Sequence, residues 1–355
     1  MKIWIDACEP KTVIMLKPLY HKLKKEHEVY ITSRDFDATF YLLEKNNLPH
    51  IKAGKHGGGS KLGKLKAYSE RLDKLIKITE QQSPDFLFSL ASPEALRISY
   101  GLGIPNIIFN DEPRSEGVVR LTLNLADQVI VPECIPLEWY LRYISKEKKL
   151  IRFHGIDEVG WLGDFNPRKK VIENMDLVEN QYVVCRTEAT KAQYLADKME
   201  PHETRLTQFI PQLLKSHPEL TYLILTRYPE QHKHLNTFFK KEIEEGIIRI
   251  YKSLENLSDL MYFSKLVITG GGTMVRESAL LGVPSIEFFP LATYPQEQFL
   301  MDNGFPLNHV KDQKKILQTA IQFLEGDYKI NTEEKIEQLD NPIKIALNEF
   351  HKRIR

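Results

Sequence analysis

The stretch that decides the fold is Leu266-Val-Ile-Thr-Gly-Gly-Gly-Thr-Met-Val-Arg-Glu-Ser-Ala-Leu-Leu-Gly-Val-Pro-Ser-Ile286. It predicts a buried strand, a turn of three glycines, a short helix and a second buried strand. We expect Gly270, Gly271 and Gly272 to take positive φ and to let a ligand approach the backbone closely. Thr273 is expected to cap the helix, whose free N–H groups favour an anion. The stretch is either a phosphate-binding turn or simply a tight strand-to-helix connection.

Glu277 lies about one turn beyond Thr273 on the predicted helix. A phosphate at the helix start with a carboxylate above it suits a nucleotide, because the carboxylate can accept hydrogen bonds from ribose hydroxyls. The alternative is a solvated glutamate on an ordinary helix. Gly271, Gly272, Thr273 and Glu277 are therefore candidate nucleotide-binding residues.

The composition is that of a globular protein with room for two domains. The chain has 355 residues, of which 42% are hydrophobic and 27% are charged. Its 49 basic residues almost cancel its 48 acidic ones, which leaves a net charge of +1 and no overall field to attract nucleic acid. A basic stretch at residues 52–66 leaves a peripheral contact with a membrane open.

No targeting or redox signal stands out in the sequence. The opening Met1-Lys-Ile-Trp-Ile-Asp is too short for the apolar core of a signal peptide. No apolar run reaches the roughly 20 residues of a spanning helix. The three cysteines, Cys8, Cys134 and Cys185, predict neither a disulfide framework nor a paired-cysteine metal site. We expect a cytoplasmic location.

Strand and helix patterns alternate along the whole chain, which predicts an α/β protein with parallel sheets. The expected domains are residues 1–160, which should carry the acceptor or catalytic side, and residues 161–340, which contain the glycine turn. Residues 341–355 predict an amphipathic helix that packs back on the first domain.

Candidate catalytic residues of the first half follow predicted strands, at the edge of a parallel sheet where ligands bind. Asp6 follows the first strand, and Asp111 and Glu112 follow a later one. These two neighbouring carboxylates could divide acid and base work, or only cap a helix. His154 in a glycine-containing connection is either a proton carrier or structural. His56, among lysines and glycines, either binds a phosphate or a glycan acceptor or belongs to a solvated loop.

The second half offers further candidates for substrate binding. Arg186 ends a predicted strand and Lys191 follows it, so both are candidates for a diphosphate. Glu297 and Gln298 lie in the loop after the strand that contains Ile286. Their position at the carboxyl edge of the predicted sheet suits contacts with sugar hydroxyls.

Taken together, the two α/β halves and the late Gly-Gly-Gly-Thr-x-x-x-Glu motif resemble the GT-B fold, in which two Rossmann-like domains face each other across a cleft. The whole chain also resembles a largely archaeal family known as domain of unknown function 354. The motifs that carry this resemblance are the glycine motif and Lys2-Ile-Trp-Ile-Asp, Gly54-Lys-His-Gly-Gly, Ser92-Pro-Glu-Ala, Phe109-Asn-Asp and Gly155-Ile-Asp-Glu.

Two kinds of GT-B enzyme are similar in their motifs. UDP-N-acetylglucosamine 2-epimerases carry Ser-Gly-Gly-x-x-Glu-Glu, which Gly271, Gly272, Thr273 and Glu277 match in part, but Arg276 stands where the first Glu belongs. The Thr-Glu-Arg-Pro-Glu that follows in epimerases is only Thr293-Tyr-Pro-Gln-Glu here. In the N-acetylglucosaminyltransferase of bacterial cell-wall synthesis, a Gln-Gln pair holds the donor sugar, and Glu297-Gln298 is similar to that pair.

The resemblance implies a nucleotide diphosphate-sugar, with UDP-sugars first, as a partner of this chain. The first hypothesis is a glycosyltransferase that acts on a glycan or lipid acceptor, with Asp6, Asp111 or Glu112 as the base. It needs neither a metal nor a cofactor, because the helix start and basic side chains can offset the charge of the diphosphate. The alternatives are an epimerase and a non-catalytic sugar-nucleotide-binding protein. The oligomeric state is left open.

Overall fold

The computed structural model describes residues 1–163, 165–191 and 199–354, except for the side chain of Lys148. It divides into two compact units, unit 1 (Met1–Gly163 and Leu339–Arg355) and unit 2 (Asp164–Gln338). Each unit contains one parallel sheet with helices, so the predicted α/β class is confirmed. Among the described helices, none combines the length and the apolar character that crossing a membrane requires.

Unit 1 is built on seven parallel strands: β1 (Lys2–Ala7), β2 (Glu28–Asp35), β3 (His50–Lys55), β4 (Phe86–Ser89), β5 (Asn106–Phe109), β6 (Gln128–Pro132) and β7 (Leu150–Phe153). Their spatial order is β3-β2-β1-β4-β5-β6-β7. The helices between them are α1 (Pro10–Leu23), α2 (Thr39–Lys45), α3 (Lys61–Gln82), α4 (Pro93–Leu102), α5 (Glu116–Thr122) and α6 (Leu137–Leu141), with a 3₁₀ turn at Glu147–Lys149, and α7 (Val159–Leu162) follows β7.

The central strands of unit 1, such as β1 and β4, are apolar on both sides of the sheet. Because successive side chains of a strand point to opposite faces, Ile3 and Ile5 enter one core cluster and Trp4 enters the other. Helices cover both faces, as in other parallel sheets, so the strands read as continuous apolar runs. In these central strands the polar residues lie at the strand ends.

Unit 2 repeats this design with six parallel strands: β8 (Tyr182–Arg186), β9 (Thr221–Leu225), β10 (Ile248–Tyr251), β11 (Leu266–Thr269), β12 (Ser285–Glu287) and β13 (Leu307–His309). Their order is β10-β9-β8-β11-β12-β13. Its helices are α8 (Lys170–Glu173), α9 (Leu206–Ser216), α10 (Pro229–Phe238), α11 (Lys240–Glu244), α12 (Leu257–Tyr262), α13 (Gly272–Leu280), α14 (Pro295–Asp302), α15 (Gln313–Glu325) and α16 (Glu333–Glu337).

The last helix, α17 (Pro342–Ile354), belongs to unit 1 although it follows unit 2 in the chain. Its residues Ile343, Ala346 and Phe350 are fully buried in a core cluster of unit 1. The ring of Phe350 lies 4.9 Å from Phe86 and 5.4 Å from His27, centroid to centroid. The chain therefore leaves unit 1 after α7, forms unit 2 and returns to finish the first core.

Candidate functional site

The order of strands in unit 2 reverses between β8 and β11, and this reversal marks the place where such sheets bind ligands. The two strands end side by side, with Arg186 paired in register with Thr269. The loop after β11 contains Gly270, Gly271 and Gly272. The glycine turn that the sequence singled out thus lies at the switch point of the sheet.

The three glycines serve close packing, not positive φ. None of them has positive φ, and Gly271 is extended at φ −168°, so that part of the sequence prediction is wrong. A Cβ on Gly270 would lie 2.5 Å from Cγ and 2.9 Å from Cα of Glu188, and one on Gly271 would lie 2.6 Å from Nη2 of Arg227. Side chains and backbone of neighbouring strand ends therefore occupy the space that any larger residue would need.

The helix after the turn begins two residues earlier than predicted. Gly271 is the N-cap of α13, and Thr273 lies inside the first turn. The prediction that Thr273 caps the helix is therefore wrong. Gly271, Gly272 and Thr273 are partly exposed. The first N–H groups of a helix have no partner within it and favour an anion.

Glu277 lies on the same helix, with a side chain held in place by the neighbouring helix. It is 7% exposed, and its Oε1 accepts a hydrogen bond from the hydroxyl of Ser258 on α12. A hydroxyl donor fixes the orientation of the carboxylate without cancelling its charge. A carboxylate can accept more than one hydrogen bond, since its two oxygens together offer about four lone-pair sites.

Basic side chains lie at the ends of the strands beside the turn. Arg186 ends β8, and Lys191 forms an ion pair with Glu230 (2.7 Å) while its Nζ lies 4.9 Å above the ring of Tyr228. Arg227, which sequence reasoning missed, follows β9, and its Nε donates to the carbonyl of Thr187 at 3.2 Å. Arg186 was predicted as a site residue because it ends a predicted strand. The same criterion, applied to the strand β9, would have identified Arg227.

Behind the turn lies a buried group of one arginine and two glutamates. Nη1 of Arg276 is 2.8 Å from Oε1 of Glu297, and both atoms lie against Gly272, at 2.7 and 2.5 Å from the position of a Cβ. Oε2 of Glu297 and both carboxyl oxygens of Glu287 are buried and have no hydrogen-bond partner among the described residues. Burial, reinforced by the charge of Glu297, raises the pKa of Glu287 well above its usual range. The positive charge of Arg276 thus stabilises the buried carboxylate of Glu297.

The structure does not bring Glu297 and Gln298 together as a pair. Glu297 is fully buried, whereas Gln298 is exposed and donates to Asp302 at 2.8 Å. Both residues lie on α14, where successive side chains point about 100° apart. Glu297 thus lies behind the glycine turn, whereas Gln298 faces solvent.

In unit 1 the strand order reverses between β1 and β4. Asp6 of β1 is fully buried and forms a 2.6 Å ion pair with Arg71, which also holds Glu94 at 3.0 Å. Burial opposes ionisation, but the charge of Arg71 and the hydrogen bonds of Ser92 and Thr32 hold the pKa of Asp6 below its usual value. Its carboxylate is therefore engaged in a closed core network.

A second polar cluster in unit 1 is built around Lys11. Its Nζ contacts Asp111 and lies 2.9 Å from Oδ2 of Asp157. Asp157 is 1% exposed, and its buried Oδ1 has no hydrogen-bond partner in the part of the chain that the structure describes. Burial, opposed by Lys11 and reinforced by Asp111, raises the pKa of Asp157 to about 7. Sequence reasoning proposed Asp111 but missed Asp157, although Asp157 lies in the Gly155-Ile-Asp-Glu motif.

The other candidate site residues of unit 1 are Glu112, His154 and His56, and each contacts a different neighbour. Both carboxyl oxygens of Glu112 accept hydrogen bonds from Arg114 at 2.8 Å. The side chain of His154 is 53% exposed, with its Nδ1 3.9 Å from Glu133. The ring of His56 lies 4.3 Å from that of Phe36, and burial, with the charges of Arg34 and Lys64, lowers the pKa of His56.

In the described part of the chain, one group of side chains has spacing that could hold a metal ion. It consists of Glu26, His27 and His351, with one potential ligand atom from each, all within 4.8 Å of one another. The group joins the loop after α1 to α17 in unit 1. It includes none of the predicted site residues.

Comparison with known proteins places the chain in a family and a fold. All of it, residues 1–355, matches the family described as "Protein of unknown function (DUF354)", and the chain belongs to that family. An uncharacterized protein of Methanocaldococcus jannaschii is 26% identical over 334 residues, which cover 89% of this chain and 90% of the relative.

Solved structures with low sequence identity share the fold. UDP-GlcNAc 2-epimerase from Methanocaldococcus jannaschii is 16% identical with a TM-score of 0.69, and the Neisseria meningitidis enzyme bound to UDP-GlcNAc is 15% identical with a TM-score of 0.74; both alignments cover 99% of this chain and 100% of the other. Anabaena HepE in complex with UDP and glucose is 15% identical with a TM-score of 0.59, and the alignment covers 99% of each chain. The predicted GT-B fold, with two Rossmann-like domains, is confirmed.

Proposed function

We propose, starting from this fold and family, that the chain is an enzyme that binds a nucleotide diphosphate-sugar, of the UDP-sugar type, at the glycine turn of unit 2. The observation that carries the proposal is the packing of the turn itself. Gly270, Gly271 and Gly272 each lie so close to a neighbouring side chain that a Cβ would clash. Such a turn brings backbone N–H groups and the start of α13 to a phosphate.

The diphosphate and the ribose each have proposed partners in unit 2. The diphosphate takes the N–H groups of the turn, with Arg186 and Arg227 supplying positive charge. The ribose hydroxyls donate to Glu277, which Ser258 orients. Two of the solved structures that share the fold were determined with UDP-GlcNAc or with UDP and glucose, which supports this class of ligand.

The chemistry is proposed for the Lys11 cluster of unit 1. Proton transfer near neutral pH is most efficient from a group whose pKa is close to the working pH. Asp157, with a pKa raised to about 7, meets that requirement, and Lys11 links it to Asp111. Asp111 stays in the proposal as the partner carboxylate, whereas Asp6 is left out because Arg71 engages it in the core.

Two reactions fit these groups. Epimerisation at the sugar needs a base and an acid, and the paired carboxylates Asp111 and Asp157 in unequal environments favour it. Transfer of the sugar to a glycan or lipid acceptor needs a single base, which either carboxylate could supply. The cluster therefore favours epimerisation first and transfer second.

The reactions are separated by incubation with UDP-N-acetylglucosamine, with and without glycan and lipid acceptors. A new sugar epimer or UDP release without an acceptor supports epimerisation, whereas turnover that requires an acceptor supports transfer. Asp157→Asn should abolish either activity, and Asp73→Asn, in an exposed ion pair with Lys77, should not. Binding without turnover under all conditions would contradict an enzymatic role and leave a sugar-nucleotide-binding protein.

The nucleotide site is tested by Glu277→Ala. Loss of a charged acceptor for the ribose should weaken UDP binding by about 1–3 kcal/mol, roughly a factor of 5 to 150 in the dissociation constant measured by calorimetry. Glu244→Ala on α11, in an exposed ion pair, is the control and should bind UDP like the unaltered protein. An unchanged dissociation constant for Glu277→Ala would remove the ribose assignment.

A further inference from the structure

The start of α3 exposes two leucines that the core of unit 1 does not use. Leu62 and Leu65 are 62% and 65% exposed. They are three residues apart, so they are neighbours on the helix surface. Arg71, nine residues after Leu62, is fully buried. Nine residues make about two and a half turns, so Leu62 points away from the buried face of the helix.

The charged residues closest to the leucines in the sequence are all basic. Residues 52–66 contain five lysines and no acidic residue, although the whole chain has almost equal numbers of both charges. Lys55, Lys61, Lys64 and Lys66 are exposed. We call Leu62, Leu65 and these four lysines the α3 patch.

The backbone holds the start of this helix in a defined form. Gly57 packs directly on the backbone of Gly63, where a Cβ on either glycine would clash. The hydroxyl of Ser60 accepts a hydrogen bond from the N–H of Gly63 at 3.0 Å and caps the helix. The glycine loop and the first turn of α3 therefore present the patch as one piece.

We propose that the α3 patch docks unit 1 on a membrane that contains anionic lipid. Leucines on a helix surface can enter the boundary between headgroups and acyl chains, while neighbouring lysines meet anionic headgroups. Nucleic acid would also meet the lysines, but contact with its phosphates would leave both leucines in water. The mixed chemistry of the patch favours the lipid surface, and this inference is independent of the proposed function.

The test uses the full chain and vesicles of phosphatidylcholine, alone or with about one-third phosphatidylglycerol, in a co-sedimentation assay. We expect binding to the anionic vesicles to be at least roughly tenfold stronger, and to weaken with added salt because ions screen the lysines. The variant Leu62→Ser/Leu65→Ser should lose about tenfold in affinity at unchanged net charge. Lys61→Gln/Lys64→Gln/Lys66→Gln should remove the preference for anionic lipid.

Leu102→Ser is the matched control, since Leu102 is also 62% exposed in unit 1 but lies at the end of α4; it should bind vesicles like the unaltered chain. All these residues are exposed, so circular dichroism should show the same fold in each variant. Equal binding to both kinds of vesicle, or no loss in the double-leucine variant, would overturn the proposal. Binding to a DNA duplex without binding to vesicles would assign the lysines to nucleic acid instead.

Discussion

At the scale of single residues, Gly270 and Gly271 in the turn of unit 2 are both glycine, but for different structural reasons. The space beside Gly270 is filled by Glu188, including its backbone, whereas the space beside Gly271 is filled by the end of the Arg227 side chain. Backbone atoms cannot move aside cheaply, but a guanidinium can. The two positions should therefore respond differently to the same substitution.

We expect Gly270→Ala to lower the free energy of unfolding by about 1–3 kcal/mol, as overpacking of a filled site does. Gly271→Ala should leave stability nearly unchanged but weaken UDP binding. The added Cβ displaces Arg227 and increases the distance between the phosphate of UDP and the backbone N–H groups of the turn. Urea denaturation and calorimetry with UDP measure the two effects.

Gly117→Ala is the control for the substitution itself. Gly117 lies in α5 with no atom within 4 Å of an added Cβ, so the change should not destabilise the protein. Gly270→Ala with the stability of the unaltered chain would show that the turn is not packed as described.

Asp157 gives a prediction about pH. Its pKa in the folded protein is raised to about 7 from an ordinary value of 3.8. Between these values the folded state binds more protons than the unfolded state, so the free energy of unfolding falls as pH rises. The slope from this group is at most about 1.4 kcal/mol per pH unit. Asp157→Asn should make the decline shallower, as measured by denaturation at a series of pH values.

The exposed Asp73→Asn variant serves again as the control and should keep the slope of the unaltered protein. If Asp157→Asn retains the full decline between about pH 4 and 7, another group is responsible.

At the scale of secondary structure, α17 completes a core whose other members come from the first 163 residues. Phe350 is fully buried and its ring meets Phe86, Phe88 and His27. Phe350→Ala should cost about 3–5 kcal/mol in the free energy of unfolding, because it removes a large buried ring and leaves a cavity. Chemical denaturation measures this loss.

The control lies on the same helix. Ile354 is 38% exposed, so Ile354→Ala should change the free energy of unfolding by no more than about 0.5 kcal/mol. Equal effects of the two substitutions would show that α17 is not docked through Phe350.

The same scale shows what sequence could predict. Apolar strand patterns and the alternation with helices gave the α/β class, because parallel strands buried on both faces must be apolar throughout. The start of α13 was misplaced by two residues because glycine and threonine are both acceptable as N-caps. Only the packing around Gly271 decides between them.

At the scale of the whole molecule, the polar clusters are what sequence could not predict. Asp6 and Asp111 both follow apolar strands and look alike in sequence. Arg71, from the middle of a helix 65 residues away, engages Asp6 in the core, whereas Lys11 links Asp111 to Asp157. Such pairings depend on three-dimensional proximity between distant segments, and local patterns carry no trace of it.

The return of α17 to unit 1 has a consequence for how the chain folds as it is synthesised. The ribosome makes residues 164–338 of unit 2 as one uninterrupted segment, whereas unit 1 still lacks Ile343, Ala346 and Phe350 when that segment is finished. Domains generally fold as units during synthesis, the earlier ones first. Here the order is inverted: the second unit can close its core before the first, whose apolar surface must wait for the final helix.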